Sequence, residues 1–112
     1  MQVPRSKEAR LHDWLMKQGK NIEEWEIDIK VKENEMANLK IDLEMYESLI
    51  ELINDIDDKG QKELVEKVYQ KEIIEERDEK VEEIRELQNE IKAKRDKIKA
   101  IKILIETSGP TS

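Results

Sequence analysis

Apolar residues recur at alternating steps of four and three from Leu11 onward: Leu11, Leu15, Gln18, Ile22, Trp25, Ile29, Lys32, Met36, Leu39, Leu43, Tyr46, Ile50 and Ile53, with Gln18 and Lys32 as the interruptions. Leu15, Ile22, Ile29, Met36, Leu43 and Ile50 are seven apart throughout, which keeps one seam of a helix turned toward one partner. Gly19 falls inside this run and costs about 1 kcal/mol relative to Ala. The phase passes through it unshifted, so the spacing predicts a kink or soft point there and not a boundary. Ser6, following Pro4, is a helix N-cap candidate, and Gly60 suits the left-handed position past a helix end. One helix over about residues 6–56 would be roughly 75 Å long at 1.5 Å per residue. A helix of that length needs a partner.

The partner lies in the same chain. After a turn at 57–60, a second helical segment is predicted over about 61–106, followed by a tail at 107–112. Ile84, Ile91, Ile98 and Ile105 are seven apart, and Leu87 and Ile101 hold the adjoining position. A short connection between two helices of similar length makes them antiparallel. The expected fold is therefore all-α, an antiparallel two-helix coiled-coil hairpin forming a single domain over residues 1–112. Between the group Leu64, Val68, Ile74 and the later isoleucines the phase shifts, so "EERDEK", residues 75–80, is the expected place of a stutter or local unwinding.

Helix 1 carries a second stripe, Ile27, Val31, Ile41, Met45, Leu52 and Ile56, about 140° around from the first at 100° per residue. One intramolecular partner cannot cover both stripes. Another copy of the chain is the expected cover, with Ile41, Met45, Leu52 and Ile56 as self-association residues and an elongated four-helix bundle as the product. Against this stand Asn34, Asn38 and Ser48, which make the stripe more polar.

Composition agrees with long helices. The 112 residues are 37% apolar and 44% charged, without Phe or Cys, where a globular protein has about 25% charged residues. Regular apolar spacing argues against disorder. Without Cys there is neither a disulfide framework nor a thiolate metal site. The first eighteen residues hold no long apolar run or small-residue cleavage site, and nowhere is there a membrane-length apolar run. A cytoplasmic protein with no membrane association is expected.

The net charge of −7 is unevenly spread. Residues 1–20 are net +3, 21–60 net −9, 61–90 net −5 and 91–112 net +4. The hairpin would thus gather basic tails at its open end. Lys92, Lys94, Arg95, Lys97, Lys99 and Lys102, with Arg5, Lys7, Arg10, Lys17 and Lys20, are candidates for contact with phosphates or an acidic protein. Of these, Arg10, Lys17, Lys94, Arg95 and Lys99 are the foremost candidates. The competing reading is that lysines near a helix C-terminus complement its dipole.

Candidate chemistry is sparse. Asp55, Asp57, Gly60 and Glu66 stand at positions 1, 3, 6 and 12 of a pattern similar to an EF-hand loop. Lys59 at position 5 places an ammonium where a ligand oxygen belongs, and Lys62 replaces the apolar residue of position 8. A plain turn is expected, with Asp55, Asp57 and Asp58 as an acidic tip that could touch a partner. His12 is the one histidine, so zinc sites and Cys/His or Ser/His nucleophile pairs have nothing to build on. No metal, cofactor or catalytic residue is assigned, and an enzyme is not expected. Trp25 sits on the seam as a core residue, and Trp14 is a possible interface anchor.

In "ARLHDWLMKQGKNIEEWEIDIKVKENEMANLK" and "KVEEIRELQNEIKAKRDKIKAI" the chain resembles the helical N-terminal region of ArpU-like and RinA-like regulators of Gram-positive phages and prophages. The likeness is one of helical texture and the Trp14-Leu15 placement. It implies a small phage-type accessory protein in a bacterial host. The DNA-reading helix-turn-helix of those regulators has no counterpart after "IETSGPTS". Two functional classes follow. One is a non-catalytic protein-binding factor for assembly, scaffolding or inhibition. The other is a nucleic-acid-associated regulator using the basic end, or an acidic nucleic-acid mimic.

Overall fold

Ser6 opens the first helix as an N-cap. Its hydroxyl accepts from the Ala9 N–H at 3.1 Å, and its backbone is extended (φ −64°, ψ 159°), which satisfies one of the orphan donors of the first turn. The computed structural model describes residues 6–109. The part of the helix-start signal carried by Pro4, the phosphate contact expected of Arg5 and the last residues of the tail lie outside them. The order is α1 (Lys7–Lys20), α2 (Ile22–Asn54), α3 (Lys59–Val65), a π-helical turn (Glu66–Gln70) and α4 (Lys71–Ser108), with no strand among the described residues. This is the expected all-α helical hairpin.

The first helix is not continuous over 6–56. It slackens at Asn21, two residues past the expected soft point, and ends at Asn54. The Asn21 N–H donates to the Gln18 carbonyl at 3.0 Å, while its own carbonyl accepts from Trp25 at 3.0 Å. Its backbone stays right-handed (φ −79°, ψ −13°), so one tightened turn joins α1 to α2. Asn is a residue of helix starts, and Glu23 and Glu24 follow in the first turn of α2 where acids complement the dipole. Gly19 has a different use. A Cβ there would lie 3.2 Å from Ile105 Cδ1, so the missing side chain gives Ile105 its seat against α1.

The turn also lies earlier than expected. Helix is absent at 55–58, not 57–60, and Gly60 is the second residue of α3. No described glycine has a positive φ, which corrects the left-handed role expected of Gly60. The sequence signal that prevails is Asp58, an extended N-cap (φ −73°, ψ 119°) whose carboxylate accepts from the Gln61 N–H at 2.8 Å. On the other side of the turn, Lys62 Nζ donates to the Asn54 carbonyl at 3.4 Å, as a cation near a helix C-terminus does.

The irregular turn of the second limb is at Glu66–Gln70, inside the Leu64, Val68, Ile74 group, and residues 75–80, the expected place of a stutter, are regular α-helix. A π-turn holds one residue more than an α-turn. Val65 and Ile73 are eight apart, against about 7.2 for two α-turns, and the wider turn brings both to one side. Leu64 and Val68, of the group expected before the phase shift, are exposed. The helix then runs two residues beyond the expected 106, to Ser108, whose hydroxyl donates to the Ile105 carbonyl at 3.0 Å.

Packing divides the chain into two compact units. One combines the described parts of Met1–Val31 and Glu90–Ser112. It buries Leu15 and Ile29 with Ile91, Ile98 and Ile101. Gly19 is beside Ile105, Lys97 Nζ sits 4.6 Å over the Trp25 ring, and Lys94 Nζ is 3.6 Å from Asp28 Oδ2. Rising numbers meet falling ones, so the pair is antiparallel. The other unit, Lys32–Asn89, buries Ile53 and Ile84. Met36, Leu39, Leu43, Tyr46 and Ile50 continue its seam half-buried. No described side chain is wholly enclosed.

The cap separates the three turn aspartates. Asp58→Ala is expected to cost about 1 kcal/mol of stability, whereas Asp55→Ala and Asp57→Ala leave it nearly unchanged. Urea denaturation of the three single variants checks this, and equal midpoints would remove the capping role.

Candidate functional site

With the seam covered, the second stripe of α2 stands out in the acidic unit. Ile41 is 63% exposed, Met45 45% and Leu52 64%. Taking such a side chain from full exposure to full burial contributes about 1.5–3 kcal/mol, of which each has roughly half still to gain. Ile56, the fourth expected member, departs from the stripe: it is half-buried and lines a groove between α2 and the residues after the turn. In the basic unit, Ile27 and Val31 are exposed as well.

The groove lies within the unit Lys32–Asn89 and has a volume of about 610 Å³. From α2 come Tyr46, Leu49, Leu52 and Ile53, and from the turn Ile56. From beyond the turn come Val65, Tyr69, Ile73, Glu72 and Glu76. Its walls are thus aliphatic and aromatic, and its two charged lining residues are both acids. The Tyr46 hydroxyl donates to the Glu76 carboxylate. That bond, then partial burial and the nearby charges of Glu76, Asp42 and Glu79, holds the phenol above its ordinary 10.0. Leu52 belongs to both the exposed row and the groove wall, so the two form one apolar face.

Charge surrounds this face. Residues 32–89 contain nine Lys/Arg and nineteen Asp/Glu, net −10, while the other unit's sequence is net +3. The expected basic cluster is partly occupied by the chain itself. Lys94 pairs with Asp28, Lys97 lies over Trp25, and Lys102 Nζ is 3.9 Å from Glu26 Oε1. Arg10, Lys17, Arg95 and Lys99 are exposed. Trp14 is 50% exposed and Trp25 half-buried on the seam.

The loop similar to an EF-hand does not persist as a loop. Lys59 to Val65 are helical, the Asp58 carboxylate serves the cap, and Glu66 opens the π-turn. Among the described residues no group of three or more His, Asp or Glu side chains is placed to hold a metal ion. None of the described helices is long and apolar enough to cross a membrane. Asp55, Asp57 and Asp58 remain exposed at the turn, as the sequence suggests. No family model, curated protein or solved structure matches this chain.

Reading the sequence finds the row but not the groove. Leu49, Val65, Tyr69 and Ile73 escape it because they belong to neither heptad seam nor second stripe. The available signal is the pair of tyrosines, one on each side of the turn, within otherwise aliphatic and acidic sequence.

Tyr46 offers a direct check of this geometry. Its hydrogen bond is fully present below pH 10.0 and is lost as pH rises through the raised folded value. In a Tyr69→Phe background, phenolate absorbance should therefore titrate above the ordinary phenol range, and Glu76→Gln should bring it back. A midpoint that Glu76→Gln does not move would contradict the contact.

Proposed function

We propose that the chain is a non-catalytic protein-interaction module whose working surface is the apolar face of the unit Lys32–Asn89, and that the occupant is a helix of another protein. The observation that supports this best is the exposure of Ile41, Met45 and Leu52 on a helix whose seam is already covered. A third helix laid along two antiparallel ones is the arrangement by which such a face leaves water. On this reading the likeness to ArpU-like and RinA-like regulators carries over as the role of an accessory factor that acts on a protein.

A second copy of the chain brings a matching apolar row, but it also brings a second net −10. Charges of one sign within a Debye length of about 8 Å at physiological salt oppose that pairing. Nucleic acid is the weaker alternative, because Lys94, Lys97 and Lys102 already meet groups of α2.

Site-specific photocrosslinking tests the reading in the cell that makes the protein. A photoreactive side chain at position 41 or 52 should form protein adducts. One at Glu47, exposed on the other side of α2, should not. Met45→Lys should abolish the adducts without changing helicity. Equal yields from position 47, or none from 41 and 52, would end the proposal.

A further inference from the structure

The groove also specifies the chemistry of its occupant. Resting on the docking face just proposed, we infer that the occupant is a cationic amphipathic helix: apolar on the side that enters the groove, with Lys or Arg on its flanks.

Length and shape come first. On α2 the lining runs from Tyr46 to Ile53, a rise of about 10 Å, and Ile56 in the turn extends it. About two to three turns of a partner helix span it. A volume of about 610 Å³ takes a few aliphatic side chains and not a whole helix, so the partner's apolar stripe enters while its backbone stays outside. The exposed Leu52 and Tyr69 stand at the mouth, at 64% and 54% exposure, where they would close over those side chains.

Charge then selects among amphipathic helices. Both charged lining residues are glutamates, and the unit holds nineteen acids against nine bases. An acidic helix would carry like charge to this rim, and a neutral one would leave the field unused. A cation on the flank of such a helix would face Glu72 and Glu76.

The test uses the full chain and a model peptide of about 14 residues, with leucine at i, i+3, i+4 and i+7 and lysine elsewhere, against a counterpart with glutamate in place of lysine. Anisotropy of the labelled peptides gives affinity, and methyl NMR locates the site. The lysine peptide should bind saturably at low salt and shift the methyls of Leu49, Leu52, Ile53, Ile56, Val65 and Ile73, leaving Ile29, Ile91 and Ile98 in place. The glutamate peptide should bind at least about tenfold more weakly. Leu52→Ser with Tyr69→Ser keeps the charge and alters exposed positions, so folding persists. It should weaken the lysine peptide about tenfold, whereas mere attraction to an acidic surface would be unaffected. Equal binding of the two peptides at the groove methyls would overturn the charge preference and leave the docking face standing. If neither peptide shifts those methyls, both the charge preference and the docking face are overturned. Unaltered affinity in the double serine variant would overturn the groove as the site.

Discussion

Two helices paired along one seam can cover each other on one side only, and every feature of this chain depends on that constraint. Ile91 and Ile101 are the most protected side chains, yet none is wholly enclosed. A two-helix layer has no third surface to close over them. Unbranched charged side chains supply the rest of the surface and also favour helix. Apolar residues off the seam therefore meet water unless something from outside the chain meets them. Ile41, Met45 and Leu52 are in that position.

The groove arises from the way the hairpin closes. α2 stops at Asn54, the backbone extends through Asp58, and the second limb starts as a short helix interrupted by a π-turn. Had α3 continued into α4 with regular turns, Val65 and Ile73 would diverge in angle and leave no common wall. The extra residue aligns them opposite Leu49, Ile53 and Ile56. Leu64 and Val68 are exposed beside it. Turns of this kind recur at functional sites because they widen a helix locally without ending it.

The seam was legible in the sequence because heptad spacing depends on nothing but the angle per residue. Leu15, Ile29 and Ile53 are buried where the three-four count puts them. The start at Ser6 was legible for a similar reason, since a cap acts within four residues. The far turn was not. Gly60 invited two readings, as a left-handed helix end and as the bend of a calcium loop, while Asp58 with Gln61 three residues on carried the signal that prevails. The break of phase in the second limb was visible, but periodicity reports only that two stretches differ in angle. It does not disclose a π-turn inside the first of them, at Glu66–Gln70. The groove was out of reach for that reason: its far wall depends on the rotation that this turn produces.

Apolar area and charge act differently on such a surface. Burial of Leu52 or Tyr69 contributes energy whatever covers it, since the hydrophobic effect has no direction. It gives attachment without choice. The acids around the groove add little to the energy of an exposed contact, yet they set the sign of whatever approaches. They also act on copies of the chain itself, whose matching rows would otherwise fit by two-fold symmetry. On the proposed reading, a face lined by leucine, isoleucine and tyrosine with Glu72 and Glu76 at its edge would favour a partner of opposite charge over its own duplicate. Discrimination here comes from repulsion toward the wrong occupant as much as from attraction to the right one.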